Sequence, residues 1–413
     1  MLCGQAIADT VRLTLSEVRT LAMRANPDLT AARLDIDIAR GDFRQASVLL
    51  RSNPTVEFFG GAASNNGPEA VIAQEVEVFG QRGARRAAGR AGIRRATAGV
   101  GNVARLTLGE TDRVFYRLVS ASRRTDLAGE VLDLNQRLSD VVARQLEAGE
   151  VSRLEYNLAT VELGRSRARA LASRRERERM AADLARLLGI PIGRTIVPVI
   201  DSGAPRDTVA GALGQRELLS LNQDSLTAVA LARRPDLAER EAASQQAAAQ
   251  ASAAAREGLP NLSLRVMSER NAAGTEQAWR PGLGVSVPFF NRNRGTVQAQ
   301  RALARQAQLE RAGVAARIRI EVARSVSAHR SATEELQVLE TAVLPSAREN
   351  RRLLETAYRE GKVGLPELLL IRNQVIDAEL EYWTAWLAAW ESLADLNETT
   401  GESLPADVTE TPR

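Results

Sequence analysis

One long duplication dominates this chain of 413 residues. Residues from about 14 to 189 are matched by residues from about 226 to 401, and the clearest landmarks are glycine pairs 212 residues apart. These pairs are Gly83 and Gly295, Gly149 and Gly361, and Gly189 and Gly401. Each copy starts with a Pro-Asp-Leu segment, continues through two short alternating segments, and ends in two long helical stretches around a glycine. A repeat of this length predicts an architecture of two equivalent units.

The repeat also sets the expected domain boundaries. Residues 1–8 are interpreted as the remnant of a signal peptide, because Ala6-Ile7-Ala8 fits the small-x-small pattern before a cleavage site. A frayed cytoplasmic terminus and lipidation at Cys3 are the alternatives. The other segments are a first structural repeat at 9–189 (strand hairpin 54–79, helical hairpin 84–189), a linker or equatorial segment at 190–224, a second repeat at 225–401 (strand hairpin 260–290, helical hairpin 295–401) and a C-terminal tail at 402–413.

Composition favours long helices over a large compact core. Aromatic residues make up only 4% of the chain and charged residues 26%, which suits extended helices packed side by side. The 55 basic and 51 acidic residues leave a net charge of +4. The basic run Arg174–Arg179 contains alternating glutamates that would repel phosphate. We therefore predict no nucleic-acid partner.

Four short segments alternate apolar and polar residues, which indicates strands with one apolar face. Their apolar residues are Val56 and Phe58; Ile72, Val76 and Val78; Leu262, Leu264 and Val266; and Leu283, Val285, Val287 and Phe289. A half-buried hairpin of a soluble protein fits this pattern too. Polar loops at 60–68 and 268–281, and Trp279 as an interfacial anchor, favour a membrane instead. Four strands cannot close a barrel, but three copies with about twelve strands can, which predicts an oligomer.

Each strand hairpin leads into a long predicted helix, at about 84–147 and about 296–360. Each helix would extend ~90 Å at ~1.5 Å per residue. Apolar residues at steps of three and four indicate coiled-coil seams. The seams are Leu127, Val131, Leu134, Leu138 and Val141 in the first copy and Leu336, Leu339, Val343, Leu353 and Ala357 in the second, where Ser346 and Asn350 are polar interruptions. Because each helix reverses at a glycine, Gly149 or Gly361, the sequence predicts two antiparallel helical hairpins.

Several motifs occur in a fixed order along the chain. The repeat starts and ends are Leu13–Val18, Asn26–Leu29, Leu187–Gly189 and Asn397–Gly401. The strand-to-helix junctions contain Gly80, Arg82 and Gly83 after the first hairpin, and Asn291, Arg292, Asn293, Arg294 and Gly295 after the second. Together, over about residues 13 to 401, they resemble the trimeric outer-membrane efflux proteins, the TolC-like channel-tunnels. The second junction most resembles the heavy-metal cation efflux branch.

The resemblance implies a mainly α fold with a small β part. Long antiparallel coiled-coil helical hairpins and four β-strands per protomer would assemble into a trimeric α-barrel and a β-barrel of about twelve strands. It implies an outer-membrane channel subunit in a Gram-negative bacterium, with lipid around the barrel and the helical tunnel in the periplasm. Heavy-metal cations would arrive from an inner-membrane pump of the resistance-nodulation-division type through a periplasmic membrane-fusion adaptor. Drug efflux or type I protein secretion is the alternative use of the same channel.

The resemblance also implies two functional positions near the helix turns. The adaptor-contact tips would be Gly149, Val151, Gly361, Val363, Gly364 and Leu365. Glu155 and its repeat partner Glu367 would form the pore constriction, where the carboxylates of a trimer would attract cations. Ordinary exposed helix charges are the alternative interpretation of these two glutamates. Leu158 and Leu370 stand where many relatives carry a second acid.

Enzymatic interpretations find little support. His329 is the single histidine, and Gly361-Lys362 lacks the spacing of a phosphate-binding loop. We predict that the protein is not an enzyme and has no catalytic, cofactor-binding or metal-binding residues. The stripe Trp383, Trp386 and Trp390 is interpreted as core packing. A soluble coiled-coil scaffold is the alternative from another class, although it leaves the alternating hairpins unexplained.

Overall fold

The computed structural model describes residues 10–59, 69–191, 195–200, 223–270 and 277–401. Its elements, in chain order, are β1 (Thr10–Leu13), α1 (Leu15–Ala25), α2 (Pro27–Ser47), β2 (Thr55–Phe59), β3 (Glu69–Val76), α3 (Gln81–Glu147), α4 (Arg153–Leu187), β4 (Thr195–Pro198), α5 (Gln223–Arg233), α6 (Pro235–Glu257), β5 (Leu262–Arg270), β6 (Gln277–Val285), α7 (Arg294–Val338), α8 (Leu344–Arg359) and α9 (Leu365–Thr400). The predicted mainly helical fold with a small β part is confirmed. The predicted signal-peptide remnant, most of the linker and the C-terminal tail lie outside the described residues, and the domain boundaries stay a prediction.

The Pro-Asp-Leu segments are joints between helices. Asn26 Oδ1 accepts hydrogen bonds from the backbone N–H groups of Asp28 and Leu29 at 3.0 and 3.1 Å. Pro27 is the first residue of α2, a position whose N–H would have no acceptor within the helix, so the missing N–H of proline costs no hydrogen bond. Pro235 opens α6 in the same way. In both copies, the Pro-Asp-Leu segment therefore lies where one helix ends and the next starts.

The described residues divide into two compact units, one made of residues 10–30, 103–191, 195–200, 223–234 and 318–401, the other of residues 31–59, 69–102, 235–270 and 277–317. The core of the first unit gathers around the tryptophan stripe. Trp386 is buried, and the ring of Tyr116 stacks on Trp390 with centroids 4.9 Å apart. Core packing of the stripe is thus confirmed. A parallel pair of β1 and β4 packs Ile196 into the same core, and this pair was not predicted.

The second unit holds an antiparallel four-stranded sheet in the order β2-β3-β5-β6. Pairing of β3 with β5 joins the hairpins of both repeats into one sheet. Since directly paired residues share a face, the register collects the apolar residues on one side. These exposed residues are Val56, Phe58, Ile72, Leu264, Val266, Trp279, Leu283 and Val285. The other side carries Glu57, Glu75, Arg265 and Arg280, as the predicted alternation requires, but also the apolar residues Phe59, Val71 and Met267.

The predicted loop at 268–281 is too long. β5 continues to Arg270 and β6 begins at Gln277, so that Pro281 lies in a strand opposite Val266. Proline has no N–H to give to a ladder, but β6 is an edge strand and tolerates it. The apolar residues Val78, Val287 and Phe289 lie beyond the strand ends.

The second long helix is interrupted, whereas a continuous helix was predicted for 296–360. α7 ends at Val338, and a π-helical turn over Leu339–Val343 precedes α8. Pro345 explains the break, because its ring clashes with the preceding turn and it lacks an N–H. The wider π turn accommodates this residue. In the described ranges, the structure has no helix whose length and hydropathy would let it span a membrane.

Candidate functional site

Both helix tips are closed by the same glycine-dependent turn. After α3, the N–H of Gly149 donates to the Leu146 carbonyl at 3.0 Å, and the N–H of Glu150 donates to the Gln145 carbonyl at 2.8 Å. Gly361 makes the equivalent pair of bonds after α8. Both glycines have positive φ, 76° and 70°. These are Schellman turns, in which glycine avoids the strain that a Cβ would cause.

Alanine at the second tip should strain this turn. A Cβ at Gly361 would meet no atom within 4 Å, so its cost comes from φ alone. We expect Gly361→Ala to lower the free energy of unfolding by about 1–2 kcal/mol, measured by thermal or chemical denaturation followed by circular dichroism. Gly295→Ala is the control, because Gly295 lies within α7 in equally open space. There alanine should stabilise by up to about 1 kcal/mol, and equal effects at both sites would contradict the turn.

The two returning helices start with related caps. At the start of α4, Glu155 Oε2 accepts bonds from the N–H and the hydroxyl of Ser152 at 2.7 and 2.9 Å. At the start of α9, Glu367 Oε2 accepts a bond from the N–H of Gly364 at 2.7 Å. The bonds from Ser152, the backbone one first, lower the pKa of Glu155. Both predicted constriction residues therefore cap their own helices, which accounts for their equivalent places in the repeat.

Two exposed leucines accompany these glutamates. Leu154 precedes Glu155 and is 78% exposed, and Leu370 follows Glu367 by one turn and is 60% exposed. An exposed leucine beside a capping carboxylate occurs in both copies. The protomer surface at each helix start therefore combines a positioned negative charge with an apolar side chain.

The interior of the tips is a small apolar cluster. Its buried members are Val142, Ala159, Leu365, Leu368 and Leu369. Leu365 is only 3% exposed, so it lies inside the tip and shapes its surface from within. Gly149, Gly361 and Gly364 are exposed, and Val151 and Val363 are partly exposed.

A buried polar layer lies on the same helices as this cluster. The guanidinium of Arg372 in α9 donates to Asn135 Oδ1 in α3, and both residues are buried. Burial lowers the pKa of Arg372, while the carboxylates of Glu355 and Glu162 oppose that shift. Glu162 is also buried and accepts a bond from Arg165 at 2.8 Å. This layer was not predicted; its one sequence signal is a lone arginine on the buried face of α9.

The two strand-to-helix junctions are built differently. Gly80 has a φ of 76°, and its carbonyl accepts a bond from Arg256 at 3.1 Å. Arg82 Nε donates to the Ser47 carbonyl at 3.0 Å. At the second junction Asn293 takes the left-handed conformation, with φ 55°, and its side-chain amide donates to a backbone carbonyl of α6 at 2.8 Å. Glycine thus makes the first bend and asparagine the second.

The remaining junction residues have other surroundings. Asn291 Oδ1 accepts the N–H of Asn293 at 3.0 Å, which stabilises the second bend. Gly83 and Gly295 lie at the starts of α3 and α7 with open space beside them. Arg292 and Arg294 are exposed.

The single histidine is a packed residue. His329 is 1% exposed, and its Nδ1 lies 3.0 Å from Ser392 Oγ. Burial lowers its pKa, which favours the neutral ring. Across the part of the chain that the structure describes, no three or more histidine, cysteine, aspartate or glutamate side chains are grouped to hold a metal ion.

Comparison with known proteins gives consistent results. Residues 226–402 match the family model described as outer membrane efflux protein. The chain is 22% identical over 379 residues to the cobalt-zinc-cadmium resistance protein CzcC of Cupriavidus metallidurans, covering 90% of this chain and 85% of that protein. Its fold is similar to the CmeC outer membrane channel of Campylobacter jejuni (TM-score 0.74, 15% identity, 95% of this chain and 86% of that chain). It is also similar to the open state of the Neisseria gonorrhoeae MtrE outer membrane channel (TM-score 0.70, 20% identity, 94% and 88%).

Proposed function

We propose that this chain is the outer-membrane channel subunit of a tripartite efflux system in a Gram-negative bacterium, because residues 226–402 match the outer membrane efflux protein model and most of the chain is similar to CzcC. It serves as a passive exit duct for heavy-metal cations. One observation carries the proposal: the four-stranded sheet exposes a largely apolar face, while its opposite face carries charged side chains beside Phe59, Val71 and Met267. An exposed apolar face of this kind suits contact with lipid, and the charged side chains of the other face suit a water-filled lumen.

The sheet also supports a homotrimer. Within the described sheet β2 and β6 are the edge strands, and exposed edges favour pairing with another chain. The antiparallel order continues if β6 of one copy pairs with β2 of the next. Three copies then close a barrel of about twelve strands, with the apolar face toward outer-membrane lipid and the helices in the periplasm.

The helix tips bind a periplasmic membrane-fusion adaptor. This adaptor connects the channel to an inner-membrane pump of the resistance-nodulation-division type. The contact surface consists of the exposed backbone at Gly149, Gly361 and Gly364, with Val151 and Val363 beside it. The Schellman turns support this role because they hold the exposed backbone of both tips in a defined conformation.

The constriction lies at the starts of α4 and α9 in this proposal. Capping bonds hold the carboxylates of Glu155 and Glu367 at defined positions, and a trimer would bring together two from each copy. Fixed negative charges around a narrow opening raise the local concentration of cations. Leu154 and Leu370 would narrow the same opening with apolar groups.

Selectivity should depend on the second of these glutamates. We expect Glu367→Gln to reduce the cation selectivity of channels in planar bilayers, because it removes one charge per copy while its amide oxygen can still accept the Gly364 bond. The effect should be largest at about 0.01 M salt, where the screening length is about 30 Å. Glu176→Gln, on an exposed face of α4, is the control and should leave selectivity unchanged. Unaltered selectivity of the Glu367→Gln channel at low salt would place this residue outside the constriction.

The likeness to a cobalt-zinc-cadmium resistance protein supports divalent heavy-metal cations as cargo. Deleting the gene should lower the growth-inhibitory concentrations of cobalt, zinc and cadmium salts severalfold, and an intact copy should restore them. Unchanged metal tolerance would refute this cargo. In that case, greater drug susceptibility or loss of a secreted protein would identify the alternative use of the channel. Recovery of the protein as a soluble particle would instead favour a coiled-coil scaffold.

A further inference from the structure

The helices of the second unit lie in the same order as its strands. Arg90 of α3 lies over the ring of Phe43 in α2, 6.0 Å from its centroid. Arg94 of α3 donates to Gln245 of α6 at 2.8 Å. Arg240 of α6 pairs with Glu310 of α7 at 2.9 Å. The order is therefore α2-α3-α6-α7, and α2 and α7 flank the unit as β2 and β6 flank the sheet.

The open side of α7 is basic. Its residues recur at steps of three and four, which puts them on one helical face: Arg294, Gln298, Arg301, Arg305 and Leu309. All of them are exposed, and Leu309 is 74% exposed. Neither Arg301 nor Arg305 forms an ion pair with any residue that the structure describes. Among the described residues of its unit, this basic face therefore has no ion-pair partner.

The open side of α2 is apolar and acidic. Leu34 and Ile38 are 60% and 62% exposed, on the side of the helix away from its buried residues. Asp35 and Asp42, two helical turns apart, lie together along one flank of this apolar pair. In the described ranges neither aspartate forms an ion pair, whereas Asp37 is bonded to Arg40 at 3.0 Å.

The charged residues of the two faces also lie at similar distances from the sheet. α2 runs toward the sheet and ends at Ser47, and α7 runs away from the sheet and starts at Arg294. At ~1.5 Å per residue, Asp42 lies ~8 Å and Asp35 ~18 Å from the sheet-proximal end of α2. On the same scale Arg301 lies ~10 Å and Arg305 ~16 Å along α7. Two aspartates and two arginines thus occur at corresponding depths below the sheet.

We propose that the basic face of α7 docks on the acidic and apolar face of α2 in the next copy of this chain. Arg301 pairs with Asp42 and Arg305 with Asp35, and Leu309 packs toward the exposed apolar pair of α2. We take the binding partner to be a second copy because the charges of the two faces are complementary and lie at similar distances from the sheet. In addition, β2 of that second copy would pair with β6 directly above this contact. The inference rests on the proposed trimer and adds the side chains that select the neighbour.

Charge reversal tests this contact. Arg301→Glu/Arg305→Glu and Asp35→Arg/Asp42→Arg should each reduce the trimer fraction at least tenfold, measured by native mass spectrometry in detergent. Combining all four substitutions should restore the trimer, since the pairs re-form with opposite signs. Arg317→Glu, on another exposed face of α7, is the control and should leave the trimer intact. Intact trimers in both double variants would overturn the inference. It would also be overturned if the Arg301→Glu/Arg305→Glu variant stayed trimeric but lost bound phospholipid, because the arginines would then bind lipid.

A cross-linking experiment gives an answer even if the reversed variants assemble poorly. In a Cys3→Ser background, Asp42→Cys with Arg301→Cys should form disulfides between copies, visible as dimers and trimers on a denaturing gel. The pair Asp42→Cys with Arg317→Cys should stay monomeric. Equal cross-linking of both pairs, or none at the first pair, would overturn the inference. If the unaltered protein is not a trimer, the proposed function fails; if it is a trimer that ignores these changes, only this contact fails.

Discussion

Gly364→Arg is expected to abolish metal resistance while the protein still assembles as an outer-membrane trimer. Gly364 has an ordinary φ of −85°, so a side chain causes no backbone strain. A Cβ there would meet Pro366 and Glu367 at 3.5 and 3.7 Å, which are ordinary contacts. The arginine therefore fits its own protomer but projects a bulky charge from the exposed tip. At a packed contact with the adaptor, such a change should cost 2 kcal/mol or more, roughly 30-fold in affinity.

Gly364→Ser is the matched control for this prediction. Serine occupies the equivalent cap in the first copy, Ser152, and it should stabilise the start of α9 by a few tenths of a kcal/mol. Its small side chain should leave resistance intact. The readouts are the inhibitory zinc concentration, the level of trimer in the outer membrane, and co-purification of the adaptor. Normal resistance with Gly364→Arg at normal trimer levels would show that this tip is not the adaptor surface.

Arg19→Met is expected to lower the free energy of unfolding by about 3–5 kcal/mol. Arg19 donates through Nε and a terminal nitrogen to the two carboxylate oxygens of Asp112, at 2.7 and 2.5 Å. Asp112 is 1% exposed. Removal of the arginine would leave this carboxylate buried and unpaired, which is more costly than losing the attraction itself.

A double substitution distinguishes this cause from a simple packing defect. Arg19→Met with Asp112→Leu removes both charges and should recover most of the lost stability. Arg174→Met, which breaks the exposed pair with Glu178, should change stability by less than about 1 kcal/mol. Chemical denaturation can be followed through Trp390, which stacks on Tyr116 one turn from Asp112. A double variant no more stable than Arg19→Met alone would refute the buried-charge explanation.

Local periodicity predicted the features that depend on near neighbours in sequence. Alternation placed Val56 and Leu283 in strands, and glycine marked the turns at Gly149 and Gly361, because backbone sterics and pleat geometry act over a few residues. The capping box Ser152-x-x-Glu155 is also a local pattern, but it was not predicted. The family resemblance implied a pore constriction at Glu155. The structure shows that the carboxylate of Glu155 also caps the start of α4.

Features that depend on distant partners could not be predicted in the same way. The seam of α3 included Leu134 and Val141, yet these are 40% and 39% exposed, while Asn135 and Val142 are buried. Apolar spacing identifies a stripe of residues on a helix. It does not show which of two adjacent stripes packs against other helices of the same chain. Likewise the bond between Arg372 and Asn135 joins helices from different repeats, and no local pattern encodes it.

Planar-bilayer recording of the purified protein tests the central claim most directly. An outer-membrane exit duct for cations should produce discrete conductance steps and pass cations in preference to anions. A protein that is folded by circular dichroism and incorporated into the bilayer, but produces no conductance steps, would contradict the account.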